Sequence, residues 1–180
     1  MTTQILLAGS GGQGLLFAGK FLTYAAMIEG REVSWYPSYG PEARGGTSTC
    51  SVVFSDEAIG SPIVAQPDIL IAMNLPSYLK YMPCVRPGGV LIYDNSMVSE
   101  ECPRDDIRVS SLPATQTAYD ENLKGLANMI LIGRMLKETG LAAPETVEPA
   151  MLKCIPPSKA AMLALNLRAI SLGTGDESPA

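Results

Sequence analysis

The chain has 180 residues, with 13 Lys and Arg against 18 Asp and Glu, a net charge of −5, 47% hydrophobic residues and only 17% charged ones. That length suits one domain with a sizeable core, and a charged fraction below the usual quarter implies that much of the surface is covered by something else. The acidic balance without a basic run argues against nucleic acid and anionic membranes, and no apolar stretch approaches the roughly 20 residues of a membrane span.

Met1-Thr2-Thr3-Gln4 lacks a basic n-region, so a secretory signal is not expected and the cytoplasm is the expected location. Histidine is absent, which removes the commonest general base and metal ligand and every Ser-His or Cys-His nucleophile. Cys50, Cys84, Cys102 and Cys154 form no Cys-x-x-Cys pair. Zinc and iron–sulfur sites draw on closely spaced ligands, so buried reduced thiols are expected rather than a metal site held by this chain alone.

The apolar run Ile5-Leu6-Leu7-Ala8 leads into Gly9-Ser10-Gly11-Gly12-Gln13-Gly14 and then into a segment, Leu15 to Glu29, that is apolar almost all round. This reads as strand, glycine turn and a helix covered on more than one side, closed by Gly30. The turn fits Gly-x-Gly-x-x-Gly at Gly9, Gly11 and Gly14, and the helix N-terminus behind it attracts anions. Glu32 to Tyr36 reads as a second strand ended by Pro37. A dinucleotide site needs an acid there for the ribose, and Trp35, Tyr36, Pro37 and Ser38 supply none.

The stretch from Ser38 to Gly46 is a loop by its Gly and Pro content and carries Tyr39, Glu42, Arg44, Gly45 and Gly46. It is either a contact loop, with Arg44 offering a planar fork to carboxylate or phosphate, or a solvated loop with a local Glu42–Arg44 pair. Strands are then predicted over Thr47–Phe54, Asp68–Met73, Val90–Tyr93 and Ile107–Leu112. Asn74 falls at a strand's C-terminal end, where it is either a ligand contact in the crevice or the cap of a short helix from Pro76 to Tyr81. Asp94 and Asn95 reach the same edge. Helices are predicted over Thr115–Leu123, over Ala127–Glu138 with Gly140 as cap, from Pro144 to Leu152, and from about Lys159. The last has a stripe of Ala160, Ala161, Leu163, Ala164, Leu167 and Ile170. Met and Gly in the second of these read as core filling and helix packing.

The predicted fold is therefore α/β: a Rossmann-like open, mostly parallel sheet with flanking helices and a helical C-terminal segment. It forms one domain over residues 1–172, with a polar, flexible tail over 173–180.

Two loops together carry a family resemblance. Gly-x-Gly-Gly-Gln-Gly after the first strand, followed by Pro-Ser-Tyr-Gly-Pro-Glu-x-Arg-Gly-Gly at 37–46, resembles the gamma subunit of 2-oxoacid:ferredoxin (flavodoxin) oxidoreductases. The likeness continues through Cys50-Ser51-Val52, Gly60-Ser61-Pro62, Pro67-Asp68, Met73-Asn74 and Pro87-Gly88-Gly89, and is nearest the 2-oxoglutarate members. It implies an enzyme subunit, inactive alone, in a complex that oxidatively decarboxylates a 2-oxoacid with coenzyme A and reduces ferredoxin or flavodoxin. Thiamine diphosphate, Mg and iron–sulfur clusters would lie on partner alpha, beta and ferredoxin-like delta subunits, none of them held by this chain alone. Isolated, the chain could pair as a homodimer.

No catalytic residue and no metal ligand carries over. Gly9, Gly11, Gly12, Gln13, Gly14, Tyr39, Glu42, Arg44, Gly45, Gly46 and Asn74 are the candidate cofactor-binding residues, toward coenzyme A as co-substrate. Packing of the same loops on partner subunits is the open alternative. A free-standing Rossmann-like nucleotide-binding protein or dehydrogenase is the competing function, and a purely structural module is a third.

Overall fold

A computed structural model describes residues 1–38 and 47–175. Its centre is a six-stranded sheet: β1 (Thr2–Gly9), β2 (Glu32–Ser38), β3 (Ser48–Ser55), β4 (Ile69–Ala72), β5 (Val90–Asp94) and β6 (Arg108–Leu112), in the spatial order β2-β3-β1-β4-β5-β6. β1, β4, β5 and β6 are mutually parallel. β3 pairs antiparallel with both β1 and β2, so β2 runs the same way as the parallel set and β3 is the one reversed strand.

Alternate residues of these strands enter two separate cores, as the period of a strand requires. Ile5, Leu7, Val52, Phe54, Ile71 and Ile92 face one core; Leu6, Ala8, Val53, Leu70, Leu91 and Tyr93 face the other. The first core is closed by α1 (Leu15–Ile28), α3 (Ala114–Asp120), α4 (Ala127–Thr139), α5 (Pro144–Cys154) and α6 (Ala161–Thr174). The second is closed by α2 (Leu75–Tyr81) with Val64, Val98 and Ile107. Burial on both faces is why the central strands read as continuous apolar runs.

α1 buries Leu15, Ala18, Phe21, Leu22, Ala25 and Ala26 between the sheet and α5, as its all-round apolar character predicts. It ends in a Schellman motif: Gly30 N donates to Met27 O (3.1 Å), Arg31 N donates to Ala26 O (3.0 Å), and Gly30 has φ +71°. Glu29, at the same helix end, accepts from Ala143 N (2.7 Å) and Thr146 Oγ1 (3.1 Å), placing a carboxylate at the N-terminus of α5.

The structure departs from expectation at four places. Pro37 does not end β2, which continues to Ser38; β2 is an edge strand, where one side of the backbone needs no ladder partner. α3 stops at Asp120, and Asn122 turns the chain with φ +56°. Of the predicted α6 stripe Ile170 is buried and Leu163 and Leu167 pack against the core, but Ala160, Ala161 and Ala164 are exposed, and Asn166, Ala169 and Gly173 complete the buried face instead. α6 also runs to Thr174, into the stretch expected to be tail.

The inward turn of Gly173 has a steric cause. A Cβ on Gly173 would strike the Ile130 carbonyl, and one on Gly133 would strike the Ile170 carbonyl. The two helices touch backbone to backbone, and that approach sets which face turns inward.

Candidate functional site

The C-terminal edge of the parallel strands carries the glycine turn and Asn74. Gly9 pairs with Ser48 across β1 and β3, and Ser38 pairs with Thr49 across β2 and β3. Ser38 and Ser48, the strand ends on either side of 39–46, therefore lie at the same edge as the glycine turn, near Gly9. Tyr39, Glu42, Arg44, Gly45 and Gly46 lie outside the described residues.

Within the glycine turn the side chain of Gln13 is the brace. Its Oε1 accepts from Ser10 N (2.7 Å) and Ser10 Oγ (3.1 Å), and its Nε2 donates to Met73 O (3.0 Å), tying the turn to the end of β4. Gly9 makes room for this, since a Cβ there would lie 2.6 Å from Gln13 Oε1 and 3.2 Å from Met73 Cβ. Gly14 caps α1 in the left-handed region with φ +75°, and its carbonyl accepts from Asn128 Nδ2 (3.0 Å). A Cβ on Gly14 would meet that amide at 2.5 Å. Gln13 is thus engaged internally, and Gly9 and Gly14 yield space to neighbours in the same chain. Gly11 and Gly12 form the exposed crest. Gly12 has φ +88°, and a Cβ there would meet no atom within 4 Å, so its backbone lies open to an approaching surface.

Asn74 takes the capping role: extended at φ −153°, it accepts from Ser77 N (3.0 Å) through Oδ1 and starts α2. Asp94 reaches the edge but is fully buried. Its carboxylate accepts from Ser96 N (3.1 Å), Ser96 Oγ (2.6 Å), Thr115 N (2.9 Å) and Thr115 Oγ1 (2.5 Å), fastening β5 to the start of α3. At the far edge, Asp68 accepts from Gln4 N (2.7 Å) and pairs with Arg86. The Pro67-Asp68 and Pro87-Gly88-Gly89 motifs therefore clasp the opposite end of the sheet.

Three features escape a reading of the sequence. Asn128, 3% exposed, holds the cap of α1 from α4; one polar residue in the otherwise apolar first two turns, Ala127–Gly133, is the available signal. Lys80 on α2 donates to Thr47 Oγ1 (3.2 Å) at the return of the 39–46 segment, its ammonium 5.2 Å from the Tyr81 ring centroid. A cavity of about 280 Å³ lies beside the crest, bounded by Gly12, Gln13, Met73, Met97, Tyr119 and Lys124 among others.

The cysteines divide. Cys50 and Cys154 are buried, and burial pushes each thiol up to about 11, against a smaller lowering from the Trp35 hydrogen bond on Cys50 and from Lys20 on Cys154. Such thiols are poor nucleophiles near neutral pH. Cys84 and Cys102 are half-buried, so the expectation of four buried thiols holds for two. Among the described residues no group of three or more His, Cys, Asp or Glu is placed to hold a metal, and no helix is long and apolar enough to cross a membrane.

Comparison with known proteins gives a consistent result. The family model for pyruvate ferredoxin/flavodoxin oxidoreductase matches residues 4–175. The ketoisovalerate oxidoreductase subunit VorA of Methanothermobacter marburgensis is 43% identical over 133 residues, which is 74% of this chain but only 28% of that protein. The chain thus spans under a third of that relative's length. The 2-oxoglutarate synthase subunit KorC of Methanocaldococcus jannaschii is 38% identical over 159 residues, covering 87% of this chain and 85% of the other. The crystal structure of the keto/oxoacid ferredoxin oxidoreductase gamma subunit from Geobacter sulfurreducens superposes with a TM-score of 0.82 at 32% identity, over 96% of both chains.

Proposed function

Since the chain belongs to the pyruvate ferredoxin/flavodoxin oxidoreductase family, we propose that it is the gamma subunit of a 2-oxoacid:ferredoxin oxidoreductase, of the 2-oxoglutarate type. In this reading the complex converts a 2-oxoacid and coenzyme A into acyl-CoA and carbon dioxide, passing the electrons to ferredoxin. The 2-oxoglutarate assignment is supported by a relative that matches over most of both lengths and carries that name. Alpha, beta and delta partners carry thiamine diphosphate with Mg and the iron–sulfur clusters; thiamine diphosphate supplies the carbanion stabilisation for decarboxylation when bound there. The assembly works in the cytoplasm.

This chain's share is to hold coenzyme A, and the observation that carries it is the strand register setting the ends of the 39–46 segment beside Gly9. The glycine crest and the strand ends on either side of 39–46 share one edge. The Gly11–Gly12 crest presents backbone without an obstructing Cβ, and Arg44 brings a bidentate fork for a phosphate. No atom of the chain enters bond making; it binds and orients.

Arg44→Ala in the reconstituted complex tests the assignment. The expected result is a KM for coenzyme A raised about tenfold, the scale of one charge-assisted hydrogen bond, with the KM for the 2-oxoacid unchanged. An unchanged KM for coenzyme A overturns it in favour of loops that only pack on partners. Native mass spectrometry that recovers the chain only as a free NAD-binding oligomer would instead establish the dehydrogenase reading.

A second feature supports assembly. Trp35 and Tyr36, 41% and 46% exposed, lie on the edge strand that leads into the 39–46 segment. Large exposed aromatic side chains on an edge strand are the expected chemistry of a subunit contact.

A further inference from the structure

Two helices of this chain are apolar on all sides, and only one of them is covered on all sides. α1 lies between the sheet and α5, as such a helix requires. α6 opens with five consecutive apolar residues, Ala161-Met162-Leu163-Ala164-Leu165, yet among these only Leu163 packs against the core. Met162 and Leu165 are 37% and 38% exposed, and Ala161 and Ala164 are exposed beside them. The first turns of α6 thus present a second apolar face that nothing in the chain covers.

That face borders a cavity of about 620 Å³ between α1, α4, α5 and α6, walled by Phe17, Leu126, Ile155, Pro156 and Met162. Its one charged lining residue is Lys159, and no carboxylate lines it. Helix face and cavity together suit a polypeptide segment that lies along α6 and inserts a bulky apolar side chain.

Charge separates the possible occupants. The charged residues on the exposed side of α6 are both cations, Lys159 and Arg168, the second paired with Glu121. A second copy placed on this face by a two-fold axis brings like charges together, whereas an acidic partner complements them. A larger neighbour also exists in the family. In VorA the region matched by this chain is 28% of the protein, so a domain of this kind is there joined to a polypeptide more than twice its length.

We propose that the outer face of α6 and the adjoining cavity are the docking surface for an amphipathic, acidic segment of a partner subunit. Its apolar anchor fills the space between Phe17, Ile155 and Met162, and a carboxylate beside that anchor meets Lys159. The inference rests on the subunit reading, which supplies the partner, and is independent of where coenzyme A binds.

The test uses the complex reconstituted from this chain with its alpha and beta subunits, followed by native mass spectrometry and association kinetics. Met162→Glu and Leu165→Glu should each weaken assembly about thirtyfold, the scale of an interface hot spot. Lys159→Glu should slow association about tenfold at low salt and much less at high salt. Leu79→Glu on α2, where the side chain is also exposed, is the control and should assemble as wild type does. Urea midpoints of the isolated variants show that the fold is kept. A photo-crosslinking residue in place of Leu165 should capture an alpha or beta peptide that contains Asp or Glu.

Capture of a second copy of this chain, or an equal loss in Leu79→Glu, overturns the proposal. Wild type measured alongside separates it from its parent. If wild type assembles and both Glu variants on α6 assemble equally well, the docking surface falls and the subunit reading stands. If wild type does not assemble with alpha and beta chains, the subunit reading falls and takes the docking surface with it.

Discussion

Two glycine-bearing regions of this molecule look alike on paper and behave differently in space. In the α4–α6 contact, Gly133 and Gly173 are each pressed against a carbonyl of the other helix, so no atom can be added. In the Gly9–Gly14 turn, Gly9 and Gly14 face movable amide side chains, and Gly12 faces nothing. The first region spends its glycines on packing alone. In the second, internal packing takes the two ends and leaves a crest free for an outside surface. A glycine motif is therefore not one functional unit, and its members differ according to what stands where a Cβ would be.

Substitutions can break that ranking. Gly173→Ala drives a methyl into the Ile130 carbonyl, where only helix displacement relieves it, and should cost about 3 kcal/mol, at the upper end for overpacking. A urea denaturation midpoint measures this, and a loss below about 1 kcal/mol, the lower end for overpacking, would mean that the helices are not in backbone contact. Gly14→Ala combines a left-handed backbone with displacement of the Asn128 amide and should cost about 2 kcal/mol. Its distinguishing mark is a shift of the Asn128 side-chain NH2 resonances. Gly12→Ala meets no atom and bears only the backbone penalty of about 1 kcal/mol. In the complex it should nonetheless raise the KM for coenzyme A more than Gly14→Ala does per unit of lost stability. If the two glycine variants affect KM in proportion to stability, the crest has no separate role.

A further expected effect concerns the buried thiols. Cys50 and Cys154 have pKa values raised to about 11 from 9.0. The neutral thiol is favoured in the fold, so the stability it contributes is present below pH 9 and declines as pH rises toward 11. A thermal midpoint that falls over this window, less steeply in Cys154→Ala, is the expected outcome; a flat profile would place these thiols in contact with water.

Much of the architecture is legible in the sequence because it depends on local chemistry. Apolar runs at β1, β4 and β5, the glycine after β1 and the caps at Gly30 and Gly140 each act within a few residues. Asn74 is legible only as an alternative between cap and contact, since the same carboxamide serves either, and the fold adds the cap through Ser77 N. The test for a ribose-binding acid at the end of β2 assumes that β2 lies next to β1. β3 intervenes instead, so the residue beside Gly9 is Ser48. The α6 stripe is right at Leu163, Leu167 and Ile170 and wrong at its alanines, because hydrophobicity alone cannot weigh Gly173, whose missing side chain turns it inward.

What the sequence by itself determined is the α/β class, the glycine turn at a strand end and the family resemblance. Those follow from periodicity, turn chemistry and motif. Only the tertiary structure decided that Gln13 braces while Gly11 and Gly12 remain exposed, that a buried Asn128 holds the helix cap from more than a hundred residues away, and that Tyr119 and Lys124 border the same crest. These are contacts between distant segments, fixed when β3 inserts beside β1 and α6 seats on α4, and no local pattern encodes them.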